Sequence, residues 1–253
     1  MTGKVFLIGA GPGDVELLTL KAVRCLGLAD LVLIDDLASP DVLRFAAPGV
    51  EVIHVGKRCG AHSAAQHEIE ALLVDAARAG RVVARVKGGD PFIFGRGGEE
   101  MLTLRAAGID VAVINGITSG SAVPATLGIP LTHRHFVHGV TFVSGHSHKD
   151  GDEPDWARLA QSGMTLVVYM GLNHVSHIAD ALIAGGLAAD TPAAAIQYGT
   201  RPEQRQALAT LATLADAVKN QGIGSPALLV IGRTVSLADA ASFIPSTQHK
   251  ELT

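Results

Sequence analysis

The chain has 253 residues, enough to bury a sizeable core in one large domain or two small ones, and its 48% hydrophobic and 17% charged content excludes a disordered chain. A formal net charge of -4, no long basic run and only 4% aromatic residues argue against a general nucleic-acid surface. An anionic ligand would therefore have to meet a local cluster of Arg and Lys.

The apolar runs fall far short of the roughly 20 residues that cross a bilayer, and a strand pattern begins almost at once, leaving no room for a signal peptide. Cys25 and Cys59 make no CxxC pair, so neither a disulfide framework nor a thiolate metal site is indicated. The expectation is a cytoplasmic, reduced protein with no membrane or nucleic-acid partner.

In chain order, "KVFLIG", "LVLID", "EVIHV", "VVARVK" and "DVAVI" read as buried strands, with helical patterns at about 16–28 and 64–79 between them. This alternation predicts a mostly parallel α/β sheet. Ser63 and Gln66 form S-x-x-Q ahead of the second helix, the pattern of a capping box, and Gly80 suits its C-terminal stop. Near "GIPLTHRHFVHG" the rhythm breaks and a second set of strands begins with "VTFVS", followed by "MTLVVYMG", "PAAAIQYG" and "PALLVIG". The expected division is 1–135, 136–236 and a tail at 237–253.

The first strand runs into "GAGPGD". A dinucleotide loop reads G-x-G-x-x-G, and Gly9 and Gly11 fit, but Asp14 stands where the third glycine should be, with Glu16 close behind. Acids there hold the positive helix end that a pyrophosphate would use. A ligand with positive charge and no phosphate remains compatible, and so does a purely structural turn.

Ligands of open α/β sheets bind outside the carboxyl ends of the strands. At those ends stand "DDL" from Asp35, "GKRCG" with Lys57 and Arg58, "KGGDPFIFGRGGEE" and "NGITSGS". The third holds five glycines in fourteen residues, more than a regular strand or helix would carry, together with Asp90, Arg96, Glu99 and Glu100. Arg96 with Glu99, and Lys57 with Arg58, also fit simple solvated charge pairs. The histidines of "HRH" (133–135) and "HSH" (146–148) lack the spacing of a familiar zinc signature, and no metal is expected.

Together, "GAGPGDVELLTLKA", "VGKRCGAHSAAQHEI", "VKGGDPFIFGRGGEE", "NGITSGSAVPATLGIPLTHR", "VVYMGL" and "SPALLVIG" resemble the tetrapyrrole methylase family. "VGKR" with "HS..Q.EI" and "FGRGGEE" resemble its uroporphyrinogen-III branch. The resemblance implies two α/β domains of the tetrapyrrole methylase type, with S-adenosylmethionine in the cleft between them, usually in a homodimer. It implies methylation of uroporphyrinogen III at C-2 and C-7, giving precorrin-2 through precorrin-1 and releasing S-adenosylhomocysteine. It also implies the methyltransferase alone, without a fused dehydrogenase and ferrochelatase module.

By the same resemblance the cofactor shell comprises Pro12, Gly88, Gly89, Asp90, Ile93, Thr118, Ser119, Met170, Gly199 and Ala227. Arg96 and Arg134 would clamp substrate carboxylates, and Glu99 would orient Arg96 or meet a pyrrole N–H. Asp35 would accept a proton and Lys57 donate one. The family usually reads Asp-Arg-Leu where this chain has Asp35-Asp36-Leu37, which removes a positive charge near the expected substrate, and Asn115 stands where Pro is common. Rival readings are a sister methyltransferase acting on a later precorrin, a nicotinamide-dependent oxidoreductase and a silent nucleotide-binding module. The missing third glycine counts against the oxidoreductase, and the dense Arg/Glu loop against the silent module.

Overall fold

The computed structural model describes residues 3–56, 66–146 and 153–239. They form two compact units, with the chain passing from one to the other at Ser119.

The first unit is built on strands β1 (Lys4–Gly9), β2 (Leu31–Ile34), β3 (Glu51–His54), β4 (Val82–Lys87) and β5 (Asp110–Ile114), all parallel, in the order β3-β2-β4-β1-β5. The central strands are apolar almost throughout, as a sheet covered on both faces requires. Helix α1 (Leu20–Leu26) covers one face, where Ala22, Cys25 and Leu26 pack on Phe6, Ile8 and Val32. Helices α2 (Gln66–Arg78) and α3 (Gly97–Ala106) cover the other, where Ile69, Leu73 and Leu104 meet Val5, Leu7 and Leu33. The predicted strands are all present. The expected helix at 16–28 is instead a 3-10 turn at Val15–Leu17 followed by the shorter α1.

This topology fixes where a site can open. Adjacent strands β1 and β4 pair from Lys4 with Val82 to Gly9 with Lys87. The chain leaving β1 crosses to the α1 face, and the chain leaving β4 crosses to the α3 face. Their loops therefore turn toward opposite faces at the carboxyl ends of the two strands, the position at which open α/β sheets bind ligands.

The second unit opens with α4 (Ser119–Ala125) and carries β6 (Val140–Ser144), α5 (Trp156–Ala160), β7 (Thr165–Tyr169), α6 (Val175–Ala184), β8 (Pro192–Gln197), β9 (Arg205–Thr210), α7 (Leu214–Asn220) and β10 (Ala227–Ile231). Its mixed sheet has the order β6-β7-β10-β8-β9, with β10 antiparallel to both neighbours. Trp156, Ile178, Leu182 and Leu214 cover one face. Val123, Leu127 and Ile129 pack on Val167, Ala194 and Val230 of the other. That packing gives residues 120–135 to the second unit, ahead of the change of rhythm near Phe136.

Leu229 is fully buried in central β10, whereas Leu208 on edge strand β9 is 40% exposed. Leu229→Ala should cost about 2–5 kcal/mol, and Leu208→Ala less than about 1 kcal/mol, measured by chemical denaturation.

Candidate active site

In the first unit, the loops after β1, β4 and β5 meet backbone to backbone. Gly11 and Gly89 exchange two hydrogen bonds, 3.1 and 2.7 Å, and both have positive φ, +71° and +67°. A Cβ on Gly116 would lie 2.2 Å from the Gly89 carbonyl oxygen, and one on Gly9 would lie 2.5 Å from the Gly116 nitrogen. A Cβ on Gly88 would meet Leu37 at 2.9 Å, which brings in the loop after β2. Thr118 and Ser119 lie next to Gly89. Pro12, Gly88, Gly89, Asp90, Thr118 and Ser119 therefore share one edge.

Asp90 is the tie between two of these loops. Its Oδ1 accepts from the Phe92 N–H at 2.8 Å, and its Oδ2 from the Gly116 N–H at 3.1 Å and the Asn115 amide at 3.4 Å. Its part at the site is thus to shape the loops. Asp14 accepts from the Glu16 N–H at 2.8 Å and caps the turn after β1, setting negative charge where a phosphate would need positive.

Beyond Asp90 the chain turns through Phe92, Ile93 and Phe94, all exposed, to Arg96, the left-handed N-cap of α3. Arg96 Nε and Nη2 donate to the two Glu99 oxygens at 2.9 and 2.5 Å, across one helical turn. Both side chains are about half exposed and border an open recess of about 310 Å³. Arg96 holds Glu99 below its ordinary pKa, chiefly through these hydrogen bonds, and Arg96 is itself raised.

Sequence reasoning missed the buried charges behind Asp35. Arg85 Nη2 lies 2.7 Å from Asp35 Oδ1, Lys87 Nζ lies 3.6 Å from Asp35 Oδ2, and both cations contact Glu100 Oε1, at 3.1 and 2.9 Å. Gln66 Nε2 donates to Glu100 Oε1 at 3.1 Å, while the capping box expected with Ser63 lies outside the described residues. The signal was present in "VVARVK": two cations at i and i+2 share one strand face, and a buried pair of that kind requires carboxylates. Lys57, Arg58, Cys59 and Ser63 lie outside the described residues.

In the second unit, parallel β7 and β8 end at the edge where the antiparallel β10 begins. Ala227 opens β10 and pairs with Gln197, and Leu228 pairs with Tyr169, so Met170, Ala227 and Gly199 come together at that edge. A Cβ on Gly199 would clash with Val123 at 2.3 Å. Gln197 is buried there, and its Oε1 has no partner among the described residues. Met170, Tyr198 and Thr200 have φ of 55°, 49° and 69°. With Phe94 at 51° and Arg96 at 57°, they are the positive-φ non-glycine residues among the described ones, and all five stand in the candidate loops.

Arg134 is not placed with that group. It is exposed, in the turn whose Phe136 packs under Arg233, two residues beyond the far end of β10. Among the described residues no group of three or more His, Cys, Asp or Glu is placed to hold a metal, and no helix is long and apolar enough to cross a membrane.

The profile of the Tetrapyrrole (Corrin/Porphyrin) Methylases matches residues 4–215. The chain belongs to this family. A chloroplastic S-adenosyl-L-methionine-dependent uroporphyrinogen III methyltransferase of Arabidopsis thaliana is 50% identical over 238 residues, which are 93% of this chain and 64% of that protein. A siroheme synthase of Tolumonas auensis is 48% identical over 95% of this chain and 51% of its own length. This tetrapyrrole methylase thus spans between half and two thirds of these curated relatives. The solved structure of a Thermus thermophilus uroporphyrin-III C-methyl transferase, complexed with S-adenosyl homocysteine, has the same fold, with TM-score 0.79 and 42% identity over 93% of this chain and 100% of that one.

Two predictions follow from this geometry. Gly116→Ala should cost about 2–3 kcal/mol and lower the melting midpoint by about 5–10 °C, while Gly98→Ala, with nothing within 4 Å of its Cβ, should not lower it. Because Glu99 is depressed in the folded state, the stabilisation from its pair with Arg96 is present at neutral pH and lost as pH falls through that depressed value. Glu99→Gln should cost less than about 1 kcal/mol at neutral pH, and the two proteins should converge in acid when unfolded by denaturant.

Proposed function

We propose that this tetrapyrrole methylase transfers methyl groups from S-adenosylmethionine to C-2 and C-7 of uroporphyrinogen III, giving precorrin-2 by way of precorrin-1. The observation that carries this reading is the concentration of interlocked glycines and positive-φ residues at the predicted loops. It is supported by the match to the Thermus thermophilus enzyme over 93% of this chain.

The residues fit such a donor. Gly88, Gly89, Thr118 and Ser119 offer closely approachable backbone and small hydroxyls, Pro12 follows Gly11 directly, and Ile93 lies at the rim. Asp14 makes the first loop unsuited to a pyrophosphate and compatible with a sulfonium. In the second unit, Met170 and Ala227 offer apolar contact, Gly199 leaves backbone accessible, and the Gln197 Oε1 lacks a donor.

When bound, S-adenosylmethionine supplies a methyl on an activated sulfonium. A pyrrole carbon forms its bond to that methyl as the sulfur–carbon bond breaks, and the positive charge passes to the macrocycle. One proton must then leave. Asp35 is at the carboxyl end of β2 with its side chain 27% exposed, and we assign it as acceptor, with Lys57 as donor. Arg96 binds a carboxylate of the substrate, the guanidinium fork suiting two oxygens at once. Glu99 holds the Arg96 fork flat until a substrate carboxylate replaces it. The reading includes a homodimer working in the cytoplasm, checked by light scattering and cell fractionation.

Anaerobic incubation with uroporphyrinogen III should yield a product heavier by two CH2 groups by mass spectrometry, each methyl replacing a proton; folded protein that binds S-adenosylhomocysteine but gives no mass gain would overturn the reading. Arg96→Ala should lower methylation by roughly a hundredfold or more, with Lys rescuing little. Calorimetry should find S-adenosylhomocysteine affinity near wild type in both variants.

A further inference from the structure

The cluster behind Asp35 is poorly explained as a stabilising device. Arg85, Lys87 and Glu100 are at most 3% exposed, and taking such charges out of water is costly even when they are paired. Three donors, from Gln66, Arg85 and Lys87, converge on Glu100 Oε1. Glu100 Oε2 is buried without a partner among the described residues. An apolar core would avoid both costs.

What the cluster does provide is geometry at one point. Among the described charged members, Asp35 is the one that reaches solvent, and each of its oxygens faces a different cation, Oδ1 toward Arg85 and Oδ2 toward Lys87. Glu100 sits behind the two cations and holds both. Among the described residues, the charged groups around Asp35 are Arg85 and Lys87 from β4, Glu100 from α3 and its chain neighbour Asp36, which lies against Gly56.

We propose that Arg85, Lys87 and Glu100 are positioning residues for the reaction: they fix the orientation of the Asp35 carboxylate and balance the negative charge it carries until it takes the proton released after methyl transfer. The inference rests on the reading of Asp35 as that acceptor. It gives Lys87 and Glu100 opposite effects. Removing Lys87 withdraws positive charge from Asp35, making its carboxylate easier to protonate, so the acid limb of kcat moves to higher pH. Removing the Glu100 charge leaves both cations to Asp35 alone, so that limb moves to lower pH.

The test uses the full chain with uroporphyrinogen III and S-adenosylmethionine. Lys87→Met and Glu100→Gln should each lower kcat by about tenfold or more, with S-adenosylhomocysteine affinity unchanged by calorimetry. Their acid limbs should move in opposite directions by about one pH unit. Lys87→Arg, which keeps the charge, should leave the limb in place and serves if Lys87→Met does not fold. Combined with Asp35→Asn, neither substitution should lower kcat further by more than about twofold. Limbs that move together, or losses that add in the Asp35→Asn background, would overturn the inference. An Asp35→Asn protein with wild-type kcat would remove the acceptor reading itself, and the inference with it.

Discussion

The reciprocal pair of backbone hydrogen bonds between Gly11 and Gly89 is the constraint on which the first unit's site depends. Two parallel strands send their loops to opposite faces of the sheet, and nothing in that topology holds the loops together beyond the last ladder pair. The bridge does so, and it needs left-handed backbone on both sides. Glycine supplies that without the steric cost another residue would meet. Once the bridge is made, Gly116 can seat against the Gly89 carbonyl only because it too lacks a side chain. Asp90 then fastens the third loop.

Backbone strain is distributed to match. A side-chain-bearing residue at positive φ costs on the order of 1–3 kcal/mol, and this cost persists only where the surroundings enforce it. Here Phe94 and Arg96 follow the bridged loop, while Met170, Tyr198 and Thr200 follow β7 and β8, the two strands that flank β10 in the second sheet. Tyr198 and Thr200 flank Gly199, which packs against Val123 in place of a side chain. Both units therefore place their unfavourable conformations at the sheet edges that carry the candidate residues, and keep their central strands regular.

Strand positions and the glycine loops were legible because burial on both faces writes continuous apolar runs, and because five glycines in fourteen residues have few other uses. Strand β9, "RQALAT", was not. It is an edge strand with mixed exposure and no clean alternation. Residues 120–135 read as part of the first domain, since their pattern resembles what precedes them, yet Val123, Leu127 and Ile129 are core of the second. Gln66 fitted a local capping pattern, which does not show that its amide also serves Glu100, thirty-four residues away. Local patterns cannot show such a partner, because it is set by which strand lies beneath the helix. Asp90 stood out in the sequence as part of the glycine loop, whereas its role as a tie between loops needed the geometry.

Two of the first unit's ion-pair systems show why charge type alone assigns no role. Arg96 and Glu99 are half exposed and lie one turn apart on a helix, so water can replace either partner, and the pair can open to a ligand at little cost. Arg85, Lys87 and Glu100 have no such alternative, because each is enclosed and losing one partner strands a charge. The exposed pair is suited to exchange a carboxylate, and the enclosed set to hold one still. Asp35 stands where the enclosed set reaches the surface, so the same carboxylate is rigid on its inner side and accessible on its outer side, which is what the acceptor role proposed for it would require.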